Sequence, residues 1–238
     1  MDVITSLAIV TFAAVIHASF QLSVSVLTLL SGHTIGAKKS RARLLSLTAS
    51  FVTGTGVMTL LTFSFVSLIF LHLFGVAIPL LAWAIVCGLV FGIGIAVWLF
   101  YYRKNRPGTE LWIPRAFATY LTRRSKATHH TAEAFGLGLS SVIAESIFIL
   151  PCLTIAALAL IGLPAEWQLL GVGVYAVVSL LGVLIVWVLV GGGTSLSTIQ
   201  KWRERNKRFL QFSAGSALIV LGFFVYVTKI VATVSGAS

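Results

Sequence analysis

The chain has 238 residues, of which 58% are hydrophobic and only 10% charged, and a formal net charge of +11. Soluble domains carry about a quarter of their residues charged, so these proportions exclude an ordinary water-soluble fold and point to an integral membrane protein. The positive charge is no argument for nucleic acid here: the basic residues stand in short segments between apolar runs, where they suit a cytosolic face and anionic lipid headgroups.

Apolar runs long enough to cross about 30 Å of hydrocarbon fall at roughly 4–30, 45–71, 77–100, 134–161, 168–190 and 209–231. In lipid each must be a helix, because open strand edges would leave backbone groups unpaired. The start, Met1-Asp2-Val3, lacks the positive segment of a cleaved signal peptide, so the first helix is expected to be retained. That run carries His17 and Gln21, four residues apart on one face with Ser25 beyond them.

The second run contains Thr53-Gly54-Thr55-Gly56 and the third a GxxxG formed by Gly88 and Gly92, and both patterns predict close helix packing. His72, Gly75 and Pro79 mark the turn between them. In the middle segment, Pro114 to Leu121 reads as a short amphipathic helix on the membrane interface. Ile113, Phe117 and Tyr120 or Leu121 share one face, and Trp112 adds an interfacial ring. His129 and His130 precede Glu133 by a helical spacing, but two ligands are not a metal site, so they read as helix-flanking residues.

The fourth run holds Glu145, the one acidic residue well inside any run, with Ser141 one turn earlier on the same face. A charge at mid-bilayer is costly, which makes Glu145 a candidate proton carrier or cation ligand; the structural alternative is a neutral acid bonded to its neighbours. Pro151 removes a backbone donor and is expected to break this helix. In the fifth connection, Gly191-Gly192-Gly193 has no phosphate-loop spacing and reads as a flexible helix end, followed by a solvated basic run from Lys201 to Arg208. Cys87 and Cys152 are far apart in apolar runs and form neither a disulfide framework nor a redox pair.

Sixteen of the 17 Lys and Arg residues lie in the first, third and fifth connections, and the second and fourth have none. The positive-inside rule places the basic connections in the cytoplasm and both termini on the non-cytoplasmic side, with Lys229 snorkelling to the interface from the last helix. The expected fold is therefore all-α, a polytopic membrane protein with six transmembrane helices in one domain over 1–238. Residues 1–100 and 133–234 form two three-helix halves joined by a basic linker, 101–132. Because three is odd, the halves have opposite orientations, the plan of an inverted repeat. The register that lays Gln21 against Glu145 gathers His17, Gln21, Ser141 and Glu145 into one polar cluster at the midplane.

The layout, the motif Ser31-Gly32-His33-Thr34-Ile35-Gly36 and the closing pattern from Arg208 to Gly222 resemble the broad superfamily of LysE amino-acid exporters, cadmium and nickel exporters and the DsbD/CcdA membrane domains. The resemblance implies export or exchange of a small solute. Leu150-Pro151-Cys152-Leu153 looks like the proline–cysteine element of the electron-carrying branch, but the first helix has no cysteine to pair with it, which disfavours a thiol relay. The acidic pairs of the metal-exporting branch are also missing. The expectation is a secondary transporter or exporter of a small solute or ion, proton-coupled through Glu145, with no enzymatic role, catalytic residue, cofactor, metal or nucleic-acid partner. The alternative is a membrane assembly or partner-binding protein. Membrane lipid is the expected partner, with a second copy or another membrane protein beside it, in the inner (plasma) membrane of a bacterium or archaeon.

Overall fold

A computed structural model describes residues 3–20, 24–27, 30, 41–102, 115–194 and 196–235, and among these there is helix but no strand. The helices are α1 (Val3–Phe20), α2 (Arg41–Phe74), α3 (Leu80–Ala96), α4 (Arg115–Ala127), α5 (Thr131–Ile161), α6 (Ala165–Ser179), α7 (Leu181–Gly191), α8 (Leu196–Arg205), α9 (Lys207–Val225) and α10 (Ala232–Val234). α3 runs on into a π-helical turn over Val97–Tyr102, and a second π-helical turn, Tyr226–Val231, joins α9 to α10.

Five helical stretches are each long and apolar enough to cross a membrane: Val3–Phe20, Ala42–Phe74, Leu80–Phe100, Thr131–Ile161 and Lys207–Val234. α6 and α7 meet the same test as a pair bent by 48°. Many large apolar side chains face outward, among them Phe65, Leu81, Ile147 and Phe223, as lipid-facing surfaces require. α2 is 34 residues long, about 50 Å at 1.5 Å per residue, so it outreaches the hydrocarbon and its basic start stands clear of it.

The helices pair as α2 with α5, α1 with α5 and with α6, and α3 with α9. Two of these pairs touch backbone to backbone at glycines. A Cβ added at Gly54 would lie 2.2 Å from the carbonyl oxygen of Phe135, and one at Gly138 would lie 2.3 Å from that of Phe51. Gly94 and Gly215 do the same for α3 and α9, each 3.2 Å from the other's carbonyl oxygen. With little hydrophobic drive between helices in lipid, this close approach is what gives dispersion its reach.

The expectations for α2 and α3 part company here. Gly54 does pack, but Gly88 and Gly92 have no atom within 4 Å of an added Cβ and are exposed; the contact falls instead on Gly94, outside the GxxxG. The expected break at Pro151 is also absent: α5 is helical without interruption from Thr131 to Ile161, since neighbouring helices in lipid let a helix tolerate an internal proline. The break lies at Leu180 (φ −85°, ψ −6°). Ser179 bonds back to the carbonyl of Ala176, which weakens the helical ladder there, and Leu180 reaches an added Cβ of Gly56 at 3.1 Å.

The connections are equally specific. Gly75 takes φ +63° to end α2, and Gly193 takes φ +91° after α7. Thr194 and Gly193 donate to Leu189 and Val190 in the paired bonds of a Schellman cap, so the glycine run ends a helix in a defined turn. α4 forms near its expected place, but its Leu121 is fully buried and Tyr120 half exposed, so the helix docks against α5 as well as presenting a polar face; Ile113 and the side chain of Phe117 lie outside the described residues.

Ser6, Val76, Gly162 and Lys229 line a common cavity, which brings the start of α1, the α2–α3 turn, the α5–α6 turn and the end of α9 to one end of the bundle. The basic segments meet at the other, where Arg43 donates to the carbonyl of His129 at 3.0 Å. Gly138→Ala is expected to force α2 and α5 apart and lower stability by about 1–3 kcal/mol or more, while Gly92→Ala stays within about 0.5 kcal/mol. Thermal unfolding of both variants in detergent checks this; equal effects would contradict the crossing.

Candidate functional site

Two apolar clusters fill the bundle. One contains Ile9 to Ile16 of α1, Phe63, the second half of α5 and Tyr175, and the other contains Leu44, Leu47 and Phe51 of α2 with Ala134, Leu137, Val183 and Val190. Buried polar side chains lie between these clusters. His17, Thr55, Thr59, Glu145 and Ser179 surround a cavity of about 10 Å³ where α1, α2, α5 and the α6–α7 break meet. That is about the volume one water molecule needs.

Glu145 and His17 are both buried, at 4% and 6% exposure, and share this cavity. They are held there by the α2–α5 crossing: Gly138 sits against Phe51 and Thr55, so two turns further along α5 the Glu145 side chain comes level with Thr55 and Thr59. His17 Nδ1 lies 3.0 Å from the hydroxyl of Tyr175, a fully buried residue of α6. The Tyr175 ring stacks on Phe63 of α2 at 4.3 Å between centroids, fixing the phenol and through it the imidazole. When the phenol donates to Nδ1, Nε2 carries the imidazole proton.

The hydroxyls divide into two kinds. Thr55 Oγ1 donates to Phe51 O at 3.0 Å and Ser179 Oγ to Ala176 O at 3.1 Å, each satisfied within its own helix. Thr59 is buried and lines the cavity, so its hydroxyl is available to a water beside Glu145. Ser141 is fully buried and donates to Gly138 O at 2.7 Å, one turn from Glu145 but outside the cavity wall. Gln21 lies outside the described residues.

The site's other charge comes from a segment expected to be solvated throughout. α8 turns one face inward: Ile199 is buried, and Arg203, four residues on, donates from Nη2 to Ser25 Oγ at 3.0 Å. Burial pushes the Arg203 pKa down from its ordinary value, and the Glu145 carboxylate acts in the opposite sense. Acid and guanidinium are thus within electrostatic reach, with Ser25 positioning the arginine.

Sequence reasoning missed Tyr175, Thr59, Ser179 and Arg203. The one available signal was the Ile199–Arg203 spacing, which marks an amphipathic face inside a basic run. Among the described residues no three His, Cys, Asp or Glu side chains are grouped to hold a metal ion. Glu133 instead accepts from the backbone nitrogens of His129 at 2.8 Å and His130 at 3.2 Å, closing the start of α5. Cys87 and Cys152 are buried and free.

Architecture and site together define a helical membrane protein with a buried polar centre. No protein-family model, curated protein or solved structure matches the chain. Tyr175→Phe leaves His17 buried without its partner and is expected to cost about 1–3 kcal/mol. Thermal unfolding should show the loss, and a variant as stable as the parent would contradict the role given to this bond.

Proposed function

We propose that the protein is a secondary transporter or exporter of a small solute or ion in the inner (plasma) membrane of a bacterium or archaeon, coupled to protons through Glu145. The observation that carries this reading is the pairing of a buried carboxylate and a buried imidazole around one water-sized cavity at mid-depth, walled on both sides by apolar side chains. An ionisable group so placed marks an ion or proton pathway more often than a packing device.

In this reading the bent α6–α7 pair counts as one of six spans, and the positive-inside rule puts the basic end in the cytoplasm and both termini outside. The helix pairing supports an inverted repeat. Exchanging the first three spans for the last three maps α1–α5 and α3–α9 onto themselves and α2–α5 onto α6–α1, and all of these pairs pack. A bend beside the polar layer matches the discontinuous helices that line transporter sites.

The chemistry then follows from the groups present. Ionised Glu145 holds Arg203 inward from the cytoplasmic end, and a proton delivered through the cavity water, with His17 as the exchanging base, neutralises the carboxylate and loosens that hold. A cavity of about 10 Å³ admits no solute larger than water, so passage requires the helices to part, with Leu180 as the joint.

The same tightness favours a second reading, a membrane assembly or partner-binding protein whose polar residues only hold helices together. Proteoliposomes carrying an internal pH dye, challenged in turn with amino acids and with monovalent and divalent cations, separate the two. Transport predicts that at least one solute drives proton movement, and that Glu145→Gln abolishes it without changing the melting temperature. No proton-linked flux for any solute, together with a protein that co-purifies stoichiometrically, supports the second reading instead.

A further inference from the structure

The end of the bundle away from Arg43 and His129 contains a larger cavity, about 210 Å³, among the start of α1, the α2–α3 turn, the end of α5 and the second π-helical turn. It has room for several waters or a small organic molecule. Its lining includes the apolar side chains of Ile78, Leu158 and Leu163 and the ring of Trp83. The side chains of Ser6 and Lys229 line it as well. Lys229, expected to snorkel to the interface, lines this cavity with Nζ 5.0 Å from the centroid of the Trp83 ring. Among the described residues it has no acidic partner. Ser6 is 1% exposed and lines the same cavity.

The Lys229 ammonium and the Ser6 hydroxyl are hydrogen-bond donors on one cavity wall, and the Trp83 face favours a charged ligand pair beside the ammonium. Both donors suit one kind of occupant. We propose that this cavity is a binding site for a small organic carboxylate: the carboxylate accepts from Lys229 Nζ and Ser6 Oγ, and its apolar body lies on Trp83, Ile78 and the leucines. The one ammonium balances a single negative charge, and the hydroxyl adds a neutral donor. A phosphate would call for more donors than the two that converge here, which sets a lipid headgroup behind a free carboxylate. Lys229 stands in the second π-helical turn, a feature frequent at functional sites. The site is distinct from the layer around Glu145 and requires no transport.

The test uses the full chain in nanodiscs of phosphatidylcholine alone, with benzoate as probe and benzamide and benzylamine as its neutral and cationic counterparts. Benzoate should raise the melting temperature in a concentration-dependent way while the other two do not. Lys229→Gln should weaken benzoate at least tenfold, and Lys229→Arg should retain binding; the melting temperatures of both variants without probe report whether they fold. Equal stabilisation by benzamide, or undiminished benzoate binding in a folded Lys229→Gln protein, would overturn the proposal. In a parallel arm with phosphatidylglycerol in the nanodisc, a lipid that blocks benzoate and stays bound to the parent but not to Lys229→Gln in native mass spectrometry would assign the anion to a headgroup and overturn the free-carboxylate assignment.

Discussion

The closeness of α2 and α5 is the constraint on which the rest of the bundle depends. Two glycines, Gly54 and Gly138, let carbonyl oxygens of the facing helix occupy space that any side chain would take. In water such a crossing would be one contribution among many, because burial of apolar surface drives association. In lipid the tails are as apolar as the helix faces, so contact distance decides. Setting the two backbones together fixes the register of the residues above the crossing, and those are Thr55 and Thr59 on one helix and Ser141 and Glu145 on the other.

That register produces a polar layer one or two side chains thick between two apolar clusters. Its cost is held down by local satisfaction: Thr55, Ser141 and Ser179 bond to their own helices, and His17 has the Tyr175 hydroxyl. The charges of Glu145 and Arg203 act on one another on the layer's side nearer the basic segments, and the arginine is tied to Ser25, just beyond α1 in the sequence. What remains is a cavity fit for one water with a carboxylate, an imidazole and a hydroxyl on its wall. Apolar clusters on either side separate the layer from the ends of the bundle.

Much of the architecture could be read from the sequence because membrane spanning is dictated by long-range composition. The apolar runs fall where the long helices are, and the charge alternation of the connections agrees with the sharing of ends seen at Arg43–His129 and around Lys229. His17 and Glu145 were legible too, since a lone polar residue in an apolar run has few uses. What sequence could not supply was direction around the helix axis. Every face of these helices is apolar, so neither the exposure of Gly88 and Gly92 nor the packing of Gly94 has a periodic signature. Pro151 misled for a related reason: a missing donor breaks a helix only when nothing else supports it, while the real break at Leu180 has no proline. Tyr175 and Arg203 join the site through tertiary contacts alone.

The central claim is that Glu145 changes protonation within its buried layer, and infrared difference spectroscopy of the protein in lipid tests it directly. The account predicts a carboxylic C=O band that comes and goes as pH is varied, is absent in Glu145→Gln, and shifts in Tyr175→Phe, where the neighbouring imidazole loses its anchor. A Glu145 that keeps one protonation state from about pH 4 to about pH 10, the range over which ordinary and strongly raised carboxylates titrate, would contradict it.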